Sequence, residues 1–155
     1  MTEKQFWAKL ERYGTDKDSV FELIKTIHKA YEQDLGLICG CIHTGPDIVN
    51  QLYVNINEKE PYREGNRYML CYTSVAMGKA DPMLPEPCEK LPVRFVIDNM
   101  MNKPVIGGLI FNRFSKEKGF VIPKQLLAKG PAFYDTVKSI FVNRPNPFNV
   151  PWEDE

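Results

Sequence analysis

The stretch Val105–Phe111, which reads Val-Ile-Gly-Gly-Leu-Ile-Phe, decides the fold class of this chain. It is an unbroken apolar run of strand length, without the alternating polar residues of a strand that faces solvent on one side. We therefore expect a central strand that is covered on both faces. Gly107 and Gly108 lack side chains, so we expect them to let a neighbouring helix or backbone approach this strand closely.

Further strands are predicted on both sides of this run. Leu52–Ile56 and Tyr68–Tyr72 are rich in β-branched and aromatic residues, and the polar stretch between them favours an antiparallel pair. Two shorter apolar stretches, Leu37–Ile42 and Phe120–Ile122, predict additional strands. A strong turn signal, Thr44–Asp47, follows the first of these.

Helices are predicted before, between and after the strands. They are Gln5–Tyr13, a helix that begins at Ser19 and ends near Gly36, Pro92–Met101, a short helix from Pro123 to Leu127, and a last one from Pro131 to Val142. Ser19 and Glu22 form a capping box at the start of the second helix. The apolar residues of Pro92–Met101 fit an alternating strand as well as a helical stripe, and we favour the helix.

Together these elements predict one α+β domain over residues 1–155, with its amino-terminal helices in residues 1–36. Its centre is a mixed, largely antiparallel sheet of about 4–6 strands packed by about 4–5 helices. The four prolines of Gly78–Pro92 remove backbone donors, so we expect an ordered surface loop there. The proline-rich tail 143–155 is expected to be extended.

Composition excludes several classes of function. Lys plus Arg equals 20 and Asp plus Glu equals 20, so no positive excess indicates binding to nucleic acid or to an anionic membrane surface. The chain has no apolar run long enough for a transmembrane helix and no signal-peptide pattern, so we expect a cytoplasmic protein. Its four cysteines are too few and too unevenly placed for a disulfide scaffold, so reduced thiols are expected.

Several short motifs occur in a characteristic order. They are Tyr72-Thr73-Ser74 at a strand end, Leu91-Pro92-Val93 at a helix start, Ile106-Gly107-Gly108-Leu109-Ile110-Phe111-Asn112, Phe120-Val121-Ile122-Pro123, and Leu126-Leu127. In this order they resemble the SseB amino-terminal domain family over roughly Gly65–Lys129. The resemblance implies a bacterial protein and a fold rather than an activity. Family sequences tend to have proline after the asparagine that ends the apolar strand, whereas here Arg113 follows Asn112.

Cys39, Cys41 and His43 form the most suggestive constellation for chemistry. Residues two apart on a strand point to the same face, and thiolates and imidazole are good zinc ligands. However, structural zinc sites usually have a fourth ligand and two residues between paired cysteines, so we favour small thiols in a half-buried strand, with no metal or cofactor. A thiol- or metal-dependent enzyme that uses this face stays an alternative hypothesis. No catalytic residue is predicted, because the familiar enzyme motifs do not occur.

Binding residues are predicted at the end of the central strand and in the tail. Arg113 and Phe114 follow Asn112, a predicted turn residue, at a position where ligands of open α/β sheets tend to bind. Trp152 can pin the tail to the domain or anchor a partner. Our main hypothesis is a non-enzymatic domain that binds another protein or itself. A second alternative, by analogy, is an immunity or accessory protein that neutralises a specific partner.

Overall fold

A computed structural model describes residues 1–15, 20–46, 48–60, 62–84 and 88–127. The helices are α1 (Glu3–Thr15), α2 (Val20–Glu32), α3 (Val75–Ala80) and α4 (Val93–Asn102). The strands are β1 (Gly36–Cys39), β2 (Cys41–Gly45), β3 (Ile48–Gln51), β4 (Tyr53–Asn55), β5 (Arg67–Tyr72), β6 (Glu89–Pro92), β7 (Ile106–Phe111) and β8 (Phe120–Pro123), and a 3-10 turn (Lys124–Leu127) follows β8. None of these described helices is long and apolar enough to cross a membrane.

Six of the described strands form one mixed sheet in the order β6-β1-β5-β7-β8, with β4 also paired to β5. β5 and β7 run parallel, and the other pairs in this sheet are antiparallel. β1 pairs with the carboxyl half of β5, where Ile38 lies opposite Tyr72, and β4 pairs with the amino half, where Tyr53 lies opposite Met69. The predicted α+β class and largely antiparallel sheet are confirmed.

The strand β7 is buried on both faces, as its apolar sequence predicts. Leu109 and Phe111 belong to the large core beneath the helices, whereas Ile110 belongs to a smaller cluster with Leu70 and Val121. Because side chains alternate along a strand, these two sets lie on opposite faces of the sheet. β7 therefore connects the two apolar clusters of the described structure.

The two glycines of β7 allow close backbone packing. A Cβ atom added to Gly108 would collide with the carbonyl oxygen of Ile122, and one added to Gly107 would collide with the carbonyl oxygen of Gly65. The close approach that we predicted is confirmed, and the approaching group at each glycine is backbone rather than a helix. The absence of side chains leaves room for β8 beside Gly108 and for the loop before β5 beside Gly107.

The helices α1, α2 and α4 contribute their apolar stripes to the large core. In α2 the buried side chains recur at helical spacing, and most are aliphatic: Val20, Leu23, Ile24, Ile27 and Ala30. In α4 the buried residues are Val93, Val96, Ile97 and Met100, so the helical interpretation of that ambiguous segment is confirmed. The turn signal at Pro92 places the start of α4 immediately after β6.

Polar contacts anchor the start of α1 to the edge of the sheet. The Gly36 backbone amide donates to Glu3 Oε2 at 2.8 Å, and Lys90 Nζ donates to Glu3 Oε1 at 3.1 Å. Trp7 Nε1 donates to the Gly36 carbonyl at 2.9 Å. The hydrogen bonds from Gly36 and Lys90 lower the pKa of the Glu3 carboxyl. They join α1 to both β1 and β6.

The expectation of a loop over Gly78–Pro92 is wrong at both ends. α3 extends to Ala80, and β6 pairs with β1 from Glu89 to Pro92. An edge strand donates hydrogen bonds on one side only, and Pro92 lies at its last position, so the missing backbone N–H is tolerated. The segment therefore begins in a helix and ends in a strand rather than forming a loop throughout.

The strand predicted at Leu37–Ile42 is divided at Gly40. The Gly40 N–H donates to the Leu70 carbonyl at 3.0 Å, and the Leu52 N–H donates to the Gly40 carbonyl at 2.8 Å. These bonds close the base of a hairpin in which β2 pairs with β3, outside the main sheet. The chain thus leaves the sheet after β1, forms the hairpin, and returns as β4.

Some predicted features fall outside the described residues. They are the cap Ser19, the turn residue Asp47, the helix from Pro131 to Val142, and the tail 143–155 with Trp152.

Candidate functional site

The carboxyl ends of β5 and β7 meet at one edge of the sheet, because the two strands are parallel neighbours. The chain leaves β5 through Thr73 towards α3 and leaves β7 through Asn112. The Asn112 N–H donates to the Cys71 carbonyl at 3.0 Å and continues the pairing by one residue. This edge is where the sequence predicts a binding site.

The side chain of Asn112 joins the segments that follow β5 and β7. Its residue is fully buried, and its backbone has a φ of 50°, in the left-handed region that asparagine tolerates. Its side-chain oxygen accepts from the Thr73 N–H at 3.2 Å, while Nδ2 donates to Thr73 Oγ1 at 3.2 Å and to the Lys118 carbonyl at 3.3 Å. The predicted turn role fits this geometry, and a buried, bonded amide is not available to a ligand.

Arg113 and Asp81 form an ion pair beside this turn. Arg113 Nε lies 3.7 Å from Asp81 Oδ2, and the aspartate side chain is 1% exposed whereas the arginine side chain is 25% exposed. Tyr72 Oη donates to Asp81 Oδ2 at 2.6 Å, and the Met83 N–H donates to Asp81 Oδ1 at 2.8 Å. The buried carboxylate therefore holds the turn after β7 against the segment that follows α3.

Burial and the hydrogen bond to Asp81 raise the pKa of Tyr72 well above its usual range. Tyr72 consequently stays protonated and keeps donating to the carboxylate. Arg113 Nε has no hydrogen-bond partner among the described residues. That nitrogen is buried against Asp81, so the donors left for another acceptor are those of Nη1 and Nη2.

Two exposed apolar side chains lie on the segments that meet here. Met83, whose backbone is bonded to Asp81, is 69% exposed, and Val75, at the first residue of α3, is 41% exposed. Phe114 is half-buried. Of the four predicted binding residues, the structure thus brings Arg113 and Phe114 to a partly exposed position, buries Asn112, and leaves Trp152 outside the described part.

The cysteine constellation has a different arrangement from the one predicted for a metal site. Cys39 and Cys41 are buried on either side of Gly40, in different sheets. His43 is exposed on β2, and its Nε2 contacts Glu89 Oε1. Within the described ranges, no three His, Cys, Asp or Glu side chains are placed to hold a metal ion.

Burial also opposes nucleophilic chemistry at these thiols. It raises the pKa of the Cys41 thiol to about 12, with smaller effects from Cys39 and Glu89. It also raises the pKa of the Cys39 thiol well above the ordinary range, and the neighbouring Cys71 acts in the same direction. A thiolate is the reactive form, so the described geometry favours small core thiols over an enzyme that uses this face.

Gln51 carries an unsatisfied buried amide. It lies opposite Cys41 at the base of the β2–β3 hairpin and is 7% exposed. Neither Nε2 nor Oε1 has a hydrogen-bond partner among the residues that the structure describes. Buried polar groups almost always have a partner, so the hairpin base can stabilise a polar group brought to it.

The chain matches no protein-family model, no curated protein and no solved structure. The resemblance to SseB domains therefore stays a prediction from the sequence.

Sequence reasoning missed Asp81 and Met83, which organise the candidate site. The signal that exists is the dipeptide Asp81-Pro82, which is typical of a turn in which the aspartate accepts from a backbone amide. That signal predicts the bond from Met83. It does not predict that Asp81 is buried against Tyr72 and Arg113, since those partners come from β5 and from the turn after β7.

Proposed function

We propose that this chain is a domain that binds another protein, and that its contact surface lies at the carboxyl ends of β5 and β7. The observation that carries the proposal is the position of Arg113. A partly exposed arginine side chain is paired with a buried carboxylate, and the backbone N–H of the exposed Met83 donates to the same carboxylate. We call Arg113, Met83 and Val75 the contact surface.

Arginine anchors contribute strongly to protein interfaces, particularly when little side-chain entropy is lost on binding. Asp81 restrains Arg113 before a partner arrives, and Tyr72 in turn orients Asp81. The restraint reduces the entropic cost of ordering a long side chain. Nε itself is buried against Asp81, so the exposed part of the side chain would use its Nη donors to bind an acceptor of the partner, such as a carboxylate.

The apolar part of the surface supports a protein rather than a small polar ligand. Single exposed apolar residues are common, so neither Met83 nor Val75 would be informative alone. On segments bonded to Asp81 and to Asn112, however, they supply flexible apolar contacts on the same side of the fold as the arginine, a combination that is found at interface centres. The balanced net charge gives no support to a nucleic-acid partner.

A photo-crosslinking comparison tests this proposal. The photoreactive amino acid benzoylphenylalanine is introduced at Met83 in one full-length protein and at Phe95 in another. Phe95 is a matched control because it is also exposed, by 52%, but lies on α4. In cells that produce the protein, we expect a discrete crosslinked protein with the Met83 variant and none with the Phe95 variant.

The crosslinked partner is then purified and its affinity is measured by titration calorimetry. Arg113→Ala and Met83→Ser should each weaken binding by roughly tenfold, as expected for anchor residues. Phe95→Ser should stay within about twofold of the parent protein, since it lies away from the contact surface. Circular dichroism checks that all three variants are folded.

Equal crosslinking at both positions, or equal affinity of the Arg113 variant and the parent, would contradict the proposed surface. Sedimentation of the purified protein tests whether the partner is a second copy of this chain. A dimer that dissociates in Met83→Ser but persists in Phe95→Ser would assign the same surface to self-association instead of to another protein.

A further inference from the structure

Cysteines that are widely separated in the sequence come together around β1. Cys39, the last residue of β1, lies opposite Cys71 of β5, and its Sγ donates to the Leu37 carbonyl at 3.6 Å. Cys41 follows Cys39 after a single residue, Gly40. Cys39 and Cys71 lie on neighbouring strands, and their register brings the two residues side by side.

Cys39 and Cys71 lie directly opposite each other in the antiparallel pair of β1 and β5. The Gly40 N–H donates to the Leu70 carbonyl at 3.0 Å, so the hydrogen bond passes beside the cysteine pair rather than between its members. Cys39 and Cys71 thus form a non-hydrogen-bonded pair, the type in which the Cα atoms are only about 4.5 Å apart. That separation falls within the range of Cα distances in disulfides.

We infer that Cys39 and Cys71 are a site of oxidative modification, at which a peroxide converts the two thiols into a disulfide that joins β1 covalently to β5. The inference is independent of the proposed protein-binding function. It assigns a chemistry to the two thiols that neither a metal site nor a catalytic nucleophile provides.

The reaction balances with one molecule of hydrogen peroxide. The sulfur of one cysteine attacks a peroxide oxygen, an S–O bond forms as the O–O bond breaks, and water leaves. The sulfur of the other cysteine then attacks the sulfenic acid, so that an S–S bond forms as the S–O bond breaks and a second water leaves. Two thiols lose two electrons and two protons in total, and the peroxide is reduced to two waters.

The position of the pair determines how fast it reacts. Cys39 and Cys71 are both buried, which keeps peroxide away from them, and burial raises the pKa of Cys39, so little Cys39 thiolate is present in the closed fold. Oxidation therefore proceeds through a local opening that exposes the pair. β1 is held on its outer side by β6, a strand of four residues at the edge of the sheet, and separation of this edge is such an opening.

The test treats the reduced full-length protein with hydrogen peroxide. Remaining thiols are alkylated under denaturing conditions, and the digest is analysed by mass spectrometry without reduction. We expect one crosslinked peptide pair that joins Cys39 to Cys71. The rate of its formation should rise with urea concentration below the unfolding transition, because urea increases the population of the opened state.

The crosslink should also change stability. Constraining the unfolded chain between positions 39 and 71 raises the folding equilibrium constant by roughly a hundredfold, which appears as a higher urea midpoint that a phosphine reductant reverses. Cys88→Ser is the matched control and should retain both the crosslink and the midpoint shift. Cys71→Ser should show neither the crosslink nor the midpoint shift. If that variant does not fold, the peptide mapping of the parent protein still tests the inference.

Two outcomes would overturn the inference. One is that peroxide joins a different pair of cysteines, or leaves Cys39 and Cys71 alkylated as free thiols after prolonged treatment in intermediate urea. The other is that the mapped disulfide forms but leaves the urea midpoint unchanged or lower, which would show that the native pair geometry does not accommodate the bond.

Discussion

Replacing Asn112 with alanine is expected to destabilise the fold far more than a change in a single turn normally does. The substitution removes the amide that accepts from the Thr73 N–H and donates to Thr73 Oγ1 and to the Lys118 carbonyl. It also places an alanine at a φ of 50°, where a Cβ crowds the backbone. Both effects act on a residue that is fully buried.

The magnitude follows from these contacts. Three hydrogen bonds of 3.2–3.3 Å are long for their type, and each contributes somewhat less than about 1 kcal/mol. The left-handed backbone adds about 1 kcal/mol for alanine. We expect the free energy of unfolding to fall by about 3 to 4 kcal/mol. With a denaturant slope of about 2 kcal/mol per molar urea, the unfolding midpoint decreases by about 1.5 to 2 M.

Urea unfolding followed by circular dichroism measures this shift, and two further variants separate its causes. Asn112→Gly loses the same hydrogen bonds without the backbone strain, so it should be more stable than Asn112→Ala by about 0.5 kcal/mol after the entropy of glycine is included. Thr73→Val removes only the hydroxyl. Its effect should be less than additive with that of Asn112→Ala, since the two residues share a hydrogen bond.

A loss of less than about 1 kcal/mol in Asn112→Ala would refute the view that the buried amide joins the two chain exits. A glycine variant less stable than the alanine variant would refute the strain component alone. Full additivity with Thr73→Val would show that the hydrogen bond between the two side chains contributes nothing measurable.

Three further predictions concern other parts of the fold. In urea titrations, Gly108→Ala should lower the free energy of unfolding by about 2 to 3 kcal/mol, because the added Cβ collides with the backbone of β8. Gly65→Ala, at an open position with a φ of 74°, should lower it by only about 1 kcal/mol, and equal losses in the two variants would contradict the packing argument. Tyr72→Phe should destabilise by about 2 kcal/mol by removing the donor to the buried carboxylate of Asp81, whereas an unchanged midpoint would mean that this hydrogen bond is not stabilising. The pKa of Glu3 is lowered by hydrogen bonds from the β1 backbone and a β6 lysine, so the stability that its carboxylate contributes is present above the ordinary glutamate pKa and is lost as pH falls through the lowered value. Glu3→Gln should therefore flatten the acid side of a plot of melting temperature against pH, and parallel plots for the variant and the parent protein would exclude the effect.

The sequence predicted the elements whose signals are local. An unbroken apolar run identified β7, and the spacing of Val93, Val96 and Met100 favoured the helix that became α4. β6 was missed because its four residues alternate weakly and follow several prolines. An edge strand is stabilised by its neighbour, in this case β1, more than by its own composition.

The candidate site could be predicted only in part. The position after the apolar strand indicated Arg113, but its partner Asp81 belongs to a different segment whose local signal is only that of a turn. The sequence places Cys39, Cys41 and His43 on one strand, whereas Gly40 separates Cys39 from Cys41 and the cysteine opposite Cys39 is Cys71 on β5. Cross-strand register decides such contacts, and register is a property of paired segments rather than of either one.

The sequence by itself determined that this chain forms an α+β domain, where its buried central strand lies, and where α1, α2 and α4 lie, because periodicity and apolar content act within a few residues. Only the tertiary structure decided that Arg113 is restrained by Asp81 and that Cys39 faces Cys71. Those contacts depend on which strands become neighbours and in what direction they run, and the parallel pairing of β5 with β7 brings together chain exits that are far apart in the sequence.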